Sequence, residues 1–333
     1  MSHAILPLGL LILALVVSII LSVPFIHLLY KLNFKRAAQK TIDAFGRRTP
    51  VFDKFHSGKV GTPVGGGILV IVVVTVLFAF TLPVLNMIGI QVYSNHGNIQ
   101  TEIGVLFFTF IAFGILGLYD DIKKFFGWKK TKFFGLRMSI KLLLQIILAV
   151  IIACLLHFNL GISILNVPFI ATFDLGLMYI PFATFVIVAF ANAVNITDGL
   201  DGLAAGVLLF SLLGLWFLSA QVLDLPLSIF IGLWIGSLIA FLYFNIFPAR
   251  IFMGDVGSLS FGATFAVVGL LLGKPFALAI IGFIFVLEIF TSLVQLLSKK
   301  FLKRKAFSVA PFHLYLQKKG WEEPKIVMRF WLF

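Results

Sequence analysis

The sequence has few charged residues and almost no cysteine for a chain of its length. Charged residues make up 12% of the 333 residues and hydrophobic residues 61%, whereas soluble domains carry about 25% charged and 45–50% apolar residues. The one cysteine, Cys154, lies within an apolar run, which excludes an intrachain disulfide and indicates a small buried residue. These shortages exclude a large soluble core and favour a polytopic membrane protein.

Long apolar segments recur along the whole chain. A spanning helix needs about 20 apolar residues, and the segments that qualify are 5–30, 64–85, 102–119, 139–157, 177–195, 202–220, 227–246, 258–273 and 275–298. The first is too long for a signal-peptide core and no Lys or Arg precedes it, so we interpret it as a retained span. A further segment begins at Ile326 and is too short to cross a bilayer. We therefore predict an all-α fold, a single transmembrane domain over residues 1–333 with about ten transmembrane helices, the tenth incomplete.

The basic residues indicate the orientation of the chain. The net charge of +13 arises from 26 Lys and Arg against 13 Asp and Glu. When the spans alternate across a membrane, every Lys and Arg except Lys274 falls on one side. The positive-inside rule makes that side cytoplasmic, so the charge reflects orientation and not nucleic-acid binding. Most acidic residues fall there too, including Asp43 and Asp53.

Adjacent carboxylates end the third predicted span in the motif GLYDDIKK. Asp120 and Asp121 repel each other, and their place at a membrane boundary adds a desolvation cost. A divalent cation or basic partners would relieve that cost. The alternative is a solvated helix end in which the carboxylates pair with Lys123 and Lys124.

The motif NAVNITDGLDGLA places polar residues at every third position after an apolar run. Asn192, Asn195, Asp198 and Asp201 would line one side of a cavity on a helix, because three residues turn about 300°. Asn hydrogen-bonds bases and sugars, whereas Asp can hold Mg²⁺ or a ribose hydroxyl. The alternative is an Asn, Asp and Gly turn between two helices.

Three further segments carry groups suited to phosphate. Asp255 in MGDVGS precedes a helix whose N-terminus can accept a phosphate; Asp255 is then a metal ligand or a plain N-cap. Lys59 lies in SGKVGTPVGGGIL, which lacks the Gly-Lys-Ser/Thr order of a Walker A motif. We interpret this segment either as a basic clamp for phosphate or as a tight entry to the second span. His313 lies in an amphipathic segment, VAPFHLYLQKKGW, and has a phosphate-binding or a structural role.

Together, carboxylates, lysines and glycine turns on one face favour a Mg²⁺-dependent reaction at a phosphate. A transporter of an anionic substrate is the hypothesis from another class. Transporters bury charges near the middle of the membrane, and Glu288, within the ninth predicted span, is the one residue that fits that pattern.

The chain resembles the polyprenyl-phosphate N-acetylhexosamine-1-phosphate transferase superfamily, and within it the branch that acts in peptidoglycan assembly. The motifs that carry the resemblance cover most of the chain in order: GKVGTPVGGGIL, LYDDIKK, NAVNITDGLDGLA, FPARIFMGDVGSLSFG, FVLEIFTSLVQ and KKGWEEPKIVMRFW. The resemblance implies a ten-span fold in the bacterial cytoplasmic membrane, with the active site facing the cytoplasm. It also implies transfer of phospho-MurNAc-pentapeptide from UDP-MurNAc-pentapeptide to undecaprenyl phosphate, giving lipid I and UMP. A homodimer is compatible with the family, although no motif indicates one.

The resemblance further implies roles for individual residues. Asp120, Asp121 and Asp255 would be catalytic, and Asp255 with Asn195 would bind Mg²⁺. Asp120 is the family's candidate base, although a phosphate monoester is already largely dianionic near pH 7 because its second pKa is about 6. The implied substrate-binding residues are Lys59, Lys141, Asn192, Asn195, Asp198, Asp201, Gln295 and His313.

One motif departs from the family pattern. Three consecutive histidines usually follow Ala-Pro and one further residue, whereas here His313 is followed by Leu314 and Tyr315. Tyr315 can supply a hydrogen bond but not a cation. The departure keeps open a sister reaction, in which GlcNAc-1-phosphate is transferred from UDP-GlcNAc to a polyprenyl phosphate.

Overall fold

The computed structural model describes residues 2–36, 57–90, 92–125 and 135–333, so the predicted positions of Asp43 and Asp53 lie outside the described residues. Twelve α-helices form these parts of the chain and confirm the all-α class. They are α1 (Ser2–Lys31), α2 (Gly66–Met87), α3 (Ile99–Phe125), α4 (Met138–Cys154), α5 (Tyr179–Thr197), α6 (Leu203–Gln221), α7 (Leu225–Asn245), α8 (Gly254–Leu271), α9 (Pro275–Ile281), α10 (Phe283–Phe301), α11 (Phe312–Lys318) and α12 (Glu323–Leu332).

Each of the first eight helices, α1 to α8, is long and apolar enough to cross a membrane. In the case of α4, the span includes the helical turn that follows the helix. The eight helices coincide with the first eight predicted spans to within a few residues at either end. Large apolar side chains such as Ile12, Val72 and Phe185 are exposed on their outer surfaces. A spanning helix can present such side chains to lipid, and the protein is therefore a multi-pass membrane protein.

The ninth predicted span, 275–298, is not one continuous helix, although its two helices together are long and apolar enough to form one bent span. α9 and α10 are separated by Gly282, and the two helices are bent by 86° relative to each other. Both pieces are apolar, so composition alone did not reveal the bend. α10 buries a mostly polar stripe, which contains Glu288, Thr291, Gln295 and Ser298.

Helices α7 and α8 form the centre of the bundle, and nearly all of their residues are buried. α1 packs along α7, while α3 and α5 pack along α8. Four aromatic rings fill the space between α3, α7 and α8, with centroids 5.3 to 5.9 Å apart: Phe110, Phe230, Trp234 and Phe261. This packing gathers the ends of α3 and α5 and the beginning of α8 at one end of the bundle.

A short hairpin between α4 and α5 was not predicted. β1 (Ile164–Val167) pairs antiparallel with β2 (Ala171–Asp174), and Ile164 lies opposite Asp174. Because α4 begins beside the gathered helix ends and runs away from them, the hairpin lies at the other end of the bundle. The hairpin leaves the fold class unchanged.

Candidate active site

Five charged side chains meet where α3 ends and where α4 and α8 begin. We call Asp120, Asp121, Lys124, Lys141 and Asp255 the carboxylate–lysine cluster. Lys124 Nζ lies 3.1 Å from Asp120 Oδ2 and 2.7 Å from Asp255 Oδ2, and Lys141 Nζ contacts the same two oxygens. The structure therefore brings together all three predicted catalytic carboxylates and the predicted cation Lys141.

The two aspartates of α3 have different surroundings. Asp120 Oδ1 accepts a hydrogen bond from the backbone N–H of Leu136 at 2.6 Å, and its Oδ2 faces the two lysines. Asp121 Oδ2 accepts the backbone N–H of Val256 at 3.0 Å, in the first turn of α8. Asp121 thus ties the end of α3 to the start of α8, while its other oxygen, Oδ1, lies 3.7 Å from Lys124 Nζ.

Close packing of α3 against α8 positions these carboxylates. A Cβ added at Gly117 would lie 2.1 Å from the backbone oxygen of Asp255, far inside van der Waals contact. Gly117 precedes Asp120 by about one helical turn. The absence of a side chain at Gly117 therefore sets how closely the carboxylates of α3 approach Asp255.

Asn195 joins the cluster from the last turns of α5. Its Nδ2 donates to Asp255 Oδ1 at 3.1 Å and to Ser258 Oγ at 2.8 Å, which leaves the amide carbonyl as an oxygen ligand beside a carboxylate. Such hard oxygen donors suit Mg²⁺. Within the described residues, no three His, Cys, Asp or Glu side chains are grouped so that they could hold a metal ion by themselves.

A second charged group lies beside the turn between α5 and α6. We call Lys59, Asp201 and Glu323 the Lys59 cluster. Lys59 Nζ lies 2.6 Å from Asp201 Oδ1 and 2.5 Å from Glu323 Oε1. Asp201 Oδ2 also accepts the backbone N–H of Ala249 at 3.0 Å. The residue predicted as a phosphate clamp is thus paired with two carboxylates from distant parts of the sequence.

Asp198 is influenced by both clusters. Desolvation raises the pKa of its carboxyl group well above the ordinary value, and the carboxylates of Asp255 and Asp121 act in the same direction. The cationic side chains of Arg36 and Lys59 lower that pKa and oppose the rise. A ligand cation near Asp198 would likewise favour its charged form.

Two amides predicted to bind substrate have protein partners of their own. Asn192 Nδ2 donates to Gln145 Oε1 at 2.7 Å and to the backbone oxygen of Val188 at 2.8 Å. Gln295 hydrogen-bonds both the N–H and the carbonyl of Phe307 at 2.9 Å. These contacts place neither amide in the two clusters, and the substrate contacts of Asn192 and Gln295 stay predictions.

His313 has a buried carboxylate partner. Glu288 on α10 accepts the backbone N–H of His313 at 3.0 Å, and its Oε2 lies 2.9 Å from His313 Nδ1. Both side chains are almost fully buried. The other ring nitrogen, Nε2, lies against Gly199 in the turn between α5 and α6. The histidine therefore reaches the polar turn in an orientation set by Glu288.

The residues that follow His313 pack against other side chains. Leu314 is buried. The ring of Tyr315 stacks on Phe312 with centroids 6.1 Å apart, and Lys319 Nζ lies 4.9 Å from its centroid. The departure from three histidines thus places a buried leucine and a stacked tyrosine after His313.

Sequence reasoning did not assign Arg36 or Glu323 to the site, and it named Lys124 only as a partner of Asp120 and Asp121 at a solvated helix end. The i, i+4 spacing from Asp120 is the signal that identifies Lys124 as a partner. Glu323 has no local signal, because its partner Lys59 is 264 residues away in the chain. Glu288 was recognised only as a charge within a span, and its partner His313 follows a bend that the sequence did not reveal.

Comparison with known proteins relates this site to a family. Residues 103–273 match the family model described as Glycosyl transferase family 4. A phospho-N-acetylmuramoyl-pentapeptide-transferase from Clostridium perfringens strain SM101 is 38% identical over 278 residues, which cover 83% of this chain and 80% of that protein. A protein of the same name from Desulfotalea psychrophila is 38% identical over 83% of this chain and 78% of its own length. One from Rickettsia rickettsii strain Sheila Smith is 36% identical over 96% of this chain and 88% of its own length. The chain therefore belongs to the phospho-N-acetylmuramoyl-pentapeptide-transferase family within glycosyl transferase family 4.

Proposed function

We propose that this protein transfers phospho-MurNAc-pentapeptide from UDP-MurNAc-pentapeptide to undecaprenyl phosphate, with lipid I and UMP as products, in peptidoglycan assembly. The name of the relatives describes a transferase of a phospho-N-acetylmuramoyl-pentapeptide, and their similarity extends over most of the chain. In this reaction the site residues act at a phosphate group, which the lysines can bind directly and the carboxylates can bind through a divalent cation.

The carboxylate–lysine cluster is the observation that carries this proposal. It joins three carboxylates and two ammonium groups at one end of the bundle, where apolar helices end or begin. A lipid phosphate from the bilayer and a nucleotide sugar from the aqueous phase can meet there. A site in the middle of the membrane would not be open to both substrates.

The reaction forms one P–O bond and breaks another. An oxygen of the lipid phosphate attacks the phosphorus linked to the sugar, the bond from that phosphorus to the bridging oxygen breaks, and UMP leaves. Lys124 and Lys141 can turn from Asp255 to stabilise the negative phosphoryl oxygens, because lysine is a point charge on a flexible stem. The acceptor is largely dianionic near pH 7, its second pKa being about 6, so Asp120 needs to position it and not to deprotonate it.

Mg²⁺ is the proposed cofactor. Asp255 and the amide oxygen of Asn195 would hold it, since Mg²⁺ is commonly bound by one or two carboxylates together with substrate phosphates. The bound ion would neutralise charge on the diphosphate. The proposed contacts to the nucleotide sugar come from the remaining predicted residues: Lys59, Asn192, Asp198, Asp201, Gln295 and His313.

The proposed location is the bacterial cytoplasmic membrane, with the active site facing the cytoplasm. When the spans alternate across a membrane, the sequence places every Lys and Arg except Lys274 on the side of the carboxylate–lysine cluster, as the positive-inside rule expects of a cytoplasmic face. Glu288, the one residue that fits the transporter pattern, lies 2.9 Å from His313 Nδ1 and orients a residue that the proposed transfer uses.

The test is UMP release by the purified protein in detergent, with undecaprenyl phosphate and Mg²⁺. UDP-MurNAc-pentapeptide and UDP-GlcNAc are offered separately, and reactions without undecaprenyl phosphate control for hydrolysis. We expect UMP only from UDP-MurNAc-pentapeptide. UMP only from UDP-GlcNAc would assign the sister reaction instead. Flux of an anionic substrate across sealed vesicles without UMP release would support a transporter.

A further inference from the structure

The helix α12 holds the turn between α5 and α6 from both of its ends. Near its beginning, Glu323 Oε1 accepts the backbone N–H of Asp201 at 2.6 Å in addition to Lys59 Nζ at 2.5 Å. Near its end, Trp331 Nε1 donates to the backbone oxygen of Gly202 at 3.1 Å. Two successive residues of the turn that carries Asp198 are therefore bonded to α12.

The indole of Trp331 occupies a notch on α6. A Cβ added at Gly206 would lie 2.0 Å from Trp331 Nε1, so the ring takes the space of a side chain. The centroid of the Trp331 ring also lies 6.4 Å from the ring centroid of Phe210, which is one turn further along α6. Three apolar residues of α12 are buried as well and fix the helix in place: Ile326, Val327 and Phe330.

Glu323 differs from its neighbour Glu322. The side chain of Glu323 is 10% exposed, and burial raises the pKa of its carboxyl group while Lys59 opposes that rise. Glu322 is exposed at the N-terminus of the same helix. Burying a carboxylate costs free energy unless it is paired and hydrogen-bonded, and Glu323 meets both conditions through Lys59 and Asp201.

We infer that Glu323 is a positioning residue for the nucleotide sugar, acting through Lys59 and Asp201. The inference rests on the proposed function, in which both residues contact the nucleotide sugar. Glu323 fixes the direction of the Lys59 ammonium group and of the Asp201 backbone N–H. The acceptor phosphate binds at the carboxylate–lysine cluster, so its affinity does not depend on Glu323. α12 is thereby part of the nucleotide side of the active site.

The experiment compares neighbouring glutamates in the purified protein. For Glu323→Gln we expect the KM for UDP-MurNAc-pentapeptide, and the Kd for UMP measured by calorimetry, to rise about tenfold, because glutamine keeps an acceptor oxygen but loses the negative charge that strengthens the hydrogen bonds from Lys59 and Asp201. The KM for undecaprenyl phosphate should not change. Glu322→Gln is the matched control and should behave as the parent. Glu323→Asp keeps the charge and should recover part of the affinity.

Equal UMP affinity in the Glu323→Gln and Glu322→Gln proteins would overturn the inference. A parallel rise of both KM values with a lower unfolding temperature would show a structural role only, and would overturn it too. If Glu323→Gln does not fold, Trp331→Phe removes the N–H that holds Gly202 while keeping a ring, and unchanged UMP affinity in that protein counts against the inference. A parent that binds UMP but releases none would refute the proposed function, while the comparison of UMP affinities would still test Glu323.

Discussion

At the scale of single residues, Asp255 is the acceptor on which the carboxylate–lysine cluster converges. Its Oδ2 contacts the ammonium groups of Lys124 and Lys141, and its Oδ1 accepts the amide of Asn195. Asp255 and Asp120 both contact the two ammonium groups, and their negative charges offset the repulsion between the two cations. Asp255 therefore organises the cations that the proposed reaction requires at the phosphates.

We predict that Asp255→Asn lowers UMP release by about a hundredfold or more, because one charged group that organises transition-state stabilisation is lost. The side chain keeps its shape, so the protein should remain monodisperse in detergent. Asp174→Asn is the control: this exposed residue accepts the backbone N–H of Gly176 at 3.0 Å, a contact that Asn can also make. Near-parental turnover by Asp255→Asn would refute the role of the cluster.

Glu288 provides a second prediction at this scale. It accepts the backbone N–H of His313 and lies against His313 Nδ1 in a buried setting. Glutamine can keep the first contact, but it keeps the second only if the ring proton moves to Nε2. We expect the unfolding free energy to fall by about 1–3 kcal/mol and UMP release to fall at least about tenfold, as when an orienting carboxylate is lost. Thermal unfolding and the UMP assay measure the two effects. Parental activity would show that the orientation of His313 does not matter for transfer.

At the scale of helices, the approach of α3 to α8 decides the geometry of the cluster. The backbone of α3 reaches the backbone of Asp255 only because Gly117 has no side chain. The side chains of α3 at the following turn then lie within ion-pair distance of Lys124, Lys141 and the start of α8. A small shift of one helix would separate carboxylates that belong to different helices.

Gly117→Ala should therefore destabilise the protein by about 1–3 kcal/mol, the usual cost of overpacking, and should also lower UMP release. Gly104→Ala is the matched control on the same helix, since an added Cβ there has nothing within 4 Å. That control should be neutral or slightly stabilising, because alanine has the higher helix propensity. The prediction, measured by thermal unfolding, would be wrong if both variants unfolded at the same temperature.

At the scale of the whole molecule, the bundle has two different ends. One end carries both charged clusters and α12, and the other carries the hairpin between α4 and α5. The proposed orientation assigns the first end to the cytoplasm. The single native cysteine makes this assignment testable by labelling, once Cys154 is replaced by alanine.

In a Cys154→Ala protein, we predict that a membrane-impermeant maleimide labels Thr172→Cys in sealed right-side-out vesicles. Lys305→Cys should be labelled only after the vesicles are opened, because the positive-inside rule places that segment in the cytoplasm. Both native residues are exposed and lie at opposite ends of the bundle. Labelling in the reverse order would invert the topology and remove the cytoplasmic site from the proposal.

Sequence patterns alone were sufficient to predict the membrane-embedded, all-α architecture, the first eight spans and the gathering of most polar residues on one side. These features depend on the length of apolar segments and on where charges interrupt them, which are local properties of a chain in a bilayer. The sequence also placed Asp120, Asp121 and Asp255 on the same face, while their assignment to one catalytic group came from the family resemblance.

Three features became visible only in the folded chain: the bend at Gly282, the pairing of Glu288 with His313 and the contact between Lys59 and Glu323. The structure also shows that Gln295 hydrogen-bonds the backbone of Phe307 and is not part of either charged cluster. Each of these features depends on how helices pack against each other. The helices are apolar on most sides, so their composition does not specify which faces meet, and close backbone contacts and buried polar pairs make that choice.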